Sequence, residues 1–286
     1  MKKKLIILVA LCVIFSSVGS AQAVSPTTYQ WFGSNGVDPP TTDWTDGQAW
    51  RDEMTGLHGD APTAVDRVKL NGVWGNAGPD IGGVHGVQSV AAGEIFISEG
   101  PPDLAPQSLT VSVGGTITTG GGTWLGQVNV GYASHNIGSL IGNGGTANIA
   151  QHLWLGWNGR GILQMNSGTV NVEGMFAPGA GTTFGGNPAN TGFGEIHLNG
   201  GLLHTQGWWG GAGFDGVHNY TFDISGGTWE IHGFWVNQIN TLIDNGWITG
   251  GASASWDEVR EITTVIPEPI TLSLLGLGAL LLRRRS

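Results

Sequence analysis

Apolar and polar residues alternate in short runs along the middle of this chain, and small-residue corners interrupt the alternation at related places. Five stretches carry the pattern, at 108–119, 138–149, 161–172, 194–205 and 220–231. Each reads as a short strand, a corner ending in glycine and usually followed by threonine, and a second strand of period two. The second residue of the corner is Gly115, Gly145, Gly168, Gly201 and Gly227, so the unit repeats every 23 to 33 residues. One such unit has too little apolar surface to fold alone, whereas stacked units bury one face continuously.

The predicted fold class is therefore all-β, a parallel β-solenoid. Its inward positions are Val111, Val113, Ile117, Ile149, Leu163, Val170, Val172, Ile196, Leu198, Phe222, Ile224 and Ile231. Val113, Ile149, Val172, Leu198 and Ile224 are expected to share one buried column, and Thr116, Thr146, Thr169 and Thr228 to align outside it. The competing architecture is an antiparallel sandwich or barrel built of hairpins. Uneven spacing places the longest excursions at 177–193 and 207–219. Residues 24–107, with Trp31, Trp44, Trp50 and Trp74 among Asp, Pro and Gly, read as an irregular N-terminal β cap over the open end of the first coil. The repeats occupy 108–237, and 238–265 form a C-terminal cap or linker. Val236–Asp244 suits a short helix or an irregular cap, and Ser253–Val265 a last strand or linker.

Composition supports this reading. Glycine supplies 51 of 286 residues, well over twice the usual ~7%, without the three-residue period of collagen. Hydrophobic residues reach 40% and tryptophans number 13, which excludes a disordered chain. The repeated strand–glycine–strand unit resembles the glycine-rich repeats of autotransporter passenger and pectin-lyase-like β-helix regions.

Both ends of the chain carry address labels. Met1-Lys2-Lys3-Lys4, an apolar run from Leu5 to Phe15 and Ala21-Gln22-Ala23 have the three parts of a secretory signal peptide over 1–23, with cleavage after Ala23. The single cysteine, Cys12, lies within that run, so the mature chain is expected to hold no disulfide, thiol nucleophile or thiolate metal site. At the other end stand Pro267-Glu268-Pro269, an apolar stretch over 270–282 and Arg283-Arg284-Arg285. Thirteen helical residues span about 20 Å, short of a full ~30 Å hydrocarbon core, and the arginines favour a cytoplasmic end. This three-part tail over 266–286 resembles the PEP-CTERM sorting signal of bacterial exported proteins, with Ile266 where valine is more usual. The resemblance implies a transmembrane-type C-terminal hydrophobic helix, recognition by the export machinery and a membrane-embedded exosortase, cleavage near the tripeptide, and release to the surface of cells that make exopolysaccharide.

Charge and chemistry narrow the function. Between Val24 and Ile266 stand five basic and twenty acidic residues, a net of −15, which repels nucleic acid and anionic lipid and disfavours acidic polysaccharide. The repeat region holds Glu173, Glu195, Asp215, Asp223, Glu230 and Arg160 as its strong acids and base. Glu195 with His197, and Glu230 with His232, share a strand face at i, i+2, but that spacing suits a solvated outer face as well as a catalytic pair. No zinc, calcium or phosphate-loop motif is present, so no catalytic residue, cofactor or metal is assigned. Trp154 and Trp157, then Trp208 and Trp209, lie in glycine-rich settings where flat rings stack on sugars. Adjacent Trp208 and Trp209 cannot both face inward on a regular strand. The expectation is an exported, non-catalytic surface or matrix structural protein. The alternatives are a neutral-glycan-binding module with those four tryptophans and exopolysaccharide as partner, and a β-helix polysaccharide lyase or hydrolase.

Overall fold

A computed structural model describes residues 27–31, 42–71, 78–99, 106–120, 127–132, 135–179, 192–209 and 219–268. The expected signal peptide with Ala21 and Ala23, and the expected tail helix with Pro269, Arg283, Arg284 and Arg285, lie outside these. Among the described residues no helix is long and apolar enough to cross a membrane.

The chain winds into a parallel β-solenoid of about 5 turns, with partial turns at its ends, and its strands stack into three sheets. The first sheet stacks Asp80–Ile81, Gln107–Ser112, the starts of Ile137–Ile149 and Arg160–Pro178, then Phe193–Leu198, Tyr220–Ile224 and Ile248–Thr249. The second stacks Gln88–Ala92, Gly115–Thr119, the second parts of those two long strands, Leu202–Trp208 and Thr228–His232. The third is built of shorter pieces: Thr28–Trp31, Arg67–Leu70, Glu94–Ile97, Val128–Val130, Leu153–Leu155, and the ends of Arg160–Pro178 and Leu202–Trp208. All these pairings are parallel. Among the described residues no hairpin forms within a repeat unit, and the sandwich alternative fails.

Period-two alternation produces inward columns that run the length of the coil. In the first sheet one column is Leu109, Leu140, Leu163, Ile196, Phe222 and Ile248, every member buried. The expected single column divides in two. Leu198 and Ile224 stack in the first sheet, whereas Ile149 and Val172 stack in the second, because the corner separates the sheets. Val113 is not inward at all: its strand ends at Ser112, and Val113 sits in the turn, 70% exposed. Thr116, Thr146 and Thr169 do align outside the second sheet, with Leu202 interrupting the column before Thr228.

Core side chains grow toward the C-terminal end. The second-sheet column runs Val90, Ile117, Ala147, Val170, Leu203, Trp229, and the third-sheet column Val68, Ile95, Val128, Leu153, Phe176, Trp208. Phe176, Trp208, Phe222 and Trp229 thus meet as an aromatic plug, with Trp208 and Trp229 centroids 4.7 Å apart. A second plug closes the other end, where Trp50 lies 4.8 Å from Trp31 and 4.7 Å from Trp44. Aromatic pairs in such edge-on arrangements contribute about 0.5–1.5 kcal/mol each beyond their burial.

Parallel stacking extends past the expected 108–237 limits on both sides. It begins with Thr28–Trp31 on Arg67–Leu70, inside the region read as a cap, and it ends with Ile248–Thr249. The helix Val236–Asp244 buries Ile239 and Leu242 against the coil. An antiparallel hairpin of Ala252–Asp257 and Ile262–Pro267 then pairs with Thr228–His232 and closes that edge. Outside the barrel of strands, Asn143, Asn166 and Asn199 form an amide ladder at 2.8 and 3.0 Å, satisfying side chains that coil stacking would otherwise crowd.

Candidate functional site

The third sheet repeats a short phrase: an apolar residue, an outward residue, an apolar residue, then a corner. It appears as Ile95-Phe96-Ile97-Ser98, Val128-Asn129-Val130-Gly131, Leu153-Trp154-Leu155-Gly156 and Phe176-Ala177-Pro178-Gly179. The corner residue has positive φ in all four turns, +63° to +68°, including the non-glycine Ser98. That bend turns the next residue outward, so Glu99, Tyr132 and Trp157 take equivalent places in successive turns. A second outward column precedes the phrase: Arg67, Glu94, Gln127 and His152.

These outward groups enclose a groove of about 530 Å³, within the range of small-molecule and sugar sites. Its floor is Phe96, Trp154, Asn129 and Glu94, all at most 8% exposed. Tyr132 and Trp157 form a wall, their rings nearly parallel at 18° and 6.3 Å between centroids. Trp154 meets Trp157 edge-on at 5.5 Å and donates its indole N–H to Gln127 Oε1 at 2.9 Å. At the far end Arg67 pairs with Glu94 at 3.0 Å and lies over the Phe96 ring at 5.4 Å.

Two titratable groups in the groove are perturbed. Burial raises the Glu94 carboxyl above its usual value, outweighing the opposing pull of Arg67 and of Asn129 Nδ2 at 3.4 Å. Burial lowers His152 below the ordinary histidine value of 6.5, so the ring is neutral at physiological pH. Outside the groove, burial also raises Glu99, beside Lys69.

The four tryptophans singled out in the sequence separate. Trp154 and Trp157 belong to the groove. Trp209 is half-buried on the same outer face and packs with Trp157 against Trp154 and Ala177. Trp208 is a correction: it points into the aromatic plug, 5% exposed, and reaches no surface ligand. Glu195 pairs with Arg160 at 2.7 Å on the first sheet, while Glu230 pairs with Arg260 at 2.9 Å on the second, so the two carboxylates do not converge. Among the described residues no three His, Cys, Asp or Glu groups are placed to hold a metal. Pro267 ends the closing hairpin opposite Ala252, and the Glu268 N–H donates to the Gly251 carbonyl.

Sequence reasoning missed Arg67, Glu94, Phe96, Asn129, Tyr132 and His152. The signal was the alignment of Val-Asn-Val-Gly-Tyr at 128–132 with Leu-Trp-Leu-Gly-Trp at 153–157. Comparison with protein-family models, with curated proteins and with solved structures finds no match to this chain.

Proposed function

We propose that this chain is an exported cell-surface or matrix protein, sorted through its PEP-CTERM-like tail, whose solenoid holds a neutral glycan without turning it over. The observation that carries the reading is the groove: near-parallel Tyr132 and Trp157 rings above a floor of indole, amide and a carboxylate already paired to Arg67. Flat rings contact the apolar faces of sugars, and amides and imidazole exchange hydrogen bonds with hydroxyls. Among the described residues the one cation and the one carboxylate lining the groove pair with each other, which disfavours a charged chain. Acid–base hydrolysis of a glycoside requires two carboxyl groups flanking the bond. Among the described residues Glu94 is the sole carboxylate lining the groove, which favours binding over lysis or hydrolysis.

The test is retention of the full chain on neutral and uronate-rich polysaccharides. The reading expects retention on a neutral polymer that changes little between low and high salt, no release of shorter products, and a loss of about tenfold in Trp157→Ala with Tyr132→Ala. Equal retention by parent and variant, or retention confined to the acidic polymer and abolished by salt, would overturn it.

A further inference from the structure

We infer that His152 determines which sugar the groove accepts, by presenting one fixed N–H donor to it; this deepens the glycan reading and rests on it. The His152 ring is held from behind. Its Nδ1 lies 3.0 Å from the backbone N–H of Met175. A backbone N–H only donates, so Nδ1 is the acceptor and Nε2 carries the hydrogen in the neutral ring. The ladder to the preceding turn breaks between the Ile149–Val172 and Leu153–Phe176 pairs, and within that gap the imidazole accepts the Met175 N–H. Space has been left for it: a Cβ on Gly174 would fall 2.7 Å from His152 Nδ1. On its other side the ring meets Trp154 edgewise at 5.1 Å and 65°. Tautomer, position and tilt are therefore all set by the fold before any ligand arrives, which is what a selective polar contact needs.

Several other polar groups of the groove are already engaged. Gln127 Oε1 takes the Trp154 N–H, Asn129 Nδ2 reaches Glu94, and Arg67 is paired to Glu94. Nε2 of His152 has no protein partner among the described residues, and the ring lines the groove. A sugar hydroxyl or ring oxygen placed against it completes the site, whereas a substituent lacking an acceptor there leaves a half-buried donor unsatisfied.

A consequence follows for pH. Protonation adds a hydrogen to Nδ1, which then faces the Met175 N–H donor to donor and releases the ring from its seat. Arg67 and Glu94 share its outward column and the groove, paired to each other, and Glu173 is exposed on the strand that carries Met175. None of them lies within an ion-pair contact of the ring. Glycan affinity should hold at neutral pH and fall as pH drops below the depressed value of His152.

The experiment measures binding of the full chain to a panel of neutral oligosaccharides with glucose, mannose or galactose backbones, across acid and neutral pH. It uses the parent, His152→Gln, His152→Phe and Trp157→Ala. Two-bond proton–nitrogen NMR of the unliganded chain reports the tautomer separately. The inference expects the Nε2–H tautomer, a loss of about tenfold in His152→Phe at neutral pH, and an acid fall in the parent. It expects His152→Gln, which keeps an N–H donor but does not titrate, to retain most binding and to lose the acid fall. An Nδ1–H tautomer, parent-like binding by His152→Phe, or an unchanged acid fall in His152→Gln would overturn it. In each of those cases, a loss in Trp157→Ala leaves the glycan groove standing. Binding by no sugar in the panel would overturn groove and inference together.

Discussion

Replacing Gly156 by alanine tests the corner that aims the groove's wall. Gly156 has φ +68°, and a Cβ there would lie 2.2 Å from the Phe193 carbonyl oxygen of the next turn. Left-handed backbone strains an L-residue by roughly 1–2 kcal/mol. A clash against backbone rather than a pliable side chain adds about 1–3 kcal/mol, and the stiffer unfolded chain returns about 0.4–1 kcal/mol. The net expectation is a destabilisation of about 3 kcal/mol. Gly246, just past the helix, is the control: its φ is +75°, and a Cβ there meets nothing within 4 Å. Gly246→Ala should therefore lose only about 1 kcal/mol, the strain alone. Urea unfolding followed by tryptophan fluorescence reads both, with the comparison made on midpoints at equal slope. Equal midpoints for the two variants would refute the argument that stacked turns, and not conformation alone, demand glycine at 156.

Three further outcomes are expected. Ile196→Asp places a charge between Leu163 and Phe222 in a fully buried column and should destabilise by about 4 kcal/mol or more; a shift below ~1 kcal/mol in urea would contradict the inward register. Burial raises the Glu94 and Glu99 carboxyls above 4.5, so their contribution is fully present below that value and is lost as pH rises through the raised values. Glu94→Gln with Glu99→Gln should flatten that decline in thermal melts, and an unchanged slope would reject the assignment. Pro267→Ala with Pro269→Ala should leave an uncut, membrane-held precursor; a variant that reaches the surface with the parent's mature mass would remove the sorting reading.

Much of the coil was legible in the sequence, because the first two strands of each turn alternate cleanly and meet at glycine corners. Leu163, Val170, Ile196 and Phe222 could be placed inside from that pattern alone. The third sheet was not legible. Its strands are as short as Val128–Val130 and Leu153–Leu155, too brief for alternation to show. The coil's early start, with Thr28–Trp31 on Arg67–Leu70, was hidden for a related reason, since the turn through Gly82 and Gly86 lacks the Gly-Gly-Thr corner. The groove draws on residues from Arg67 to Trp157, and coil stacking alone brings them together. His152 gave no spacing signal because its partner is a backbone N–H. The Trp208–Trp209 pair showed only that both rings could not face in. Which one did so depended on Trp208 stacking on Phe176, a contact set by register.

The glycan reading is tested most directly by a crystal structure of the chain with a bound neutral oligosaccharide. The account predicts a sugar ring against Tyr132 and Trp157, with an oxygen within hydrogen-bond distance of His152 Nε2 and the Arg67–Glu94 pair intact. A sugar seated elsewhere on the coil, with the groove unchanged and empty, would contradict it.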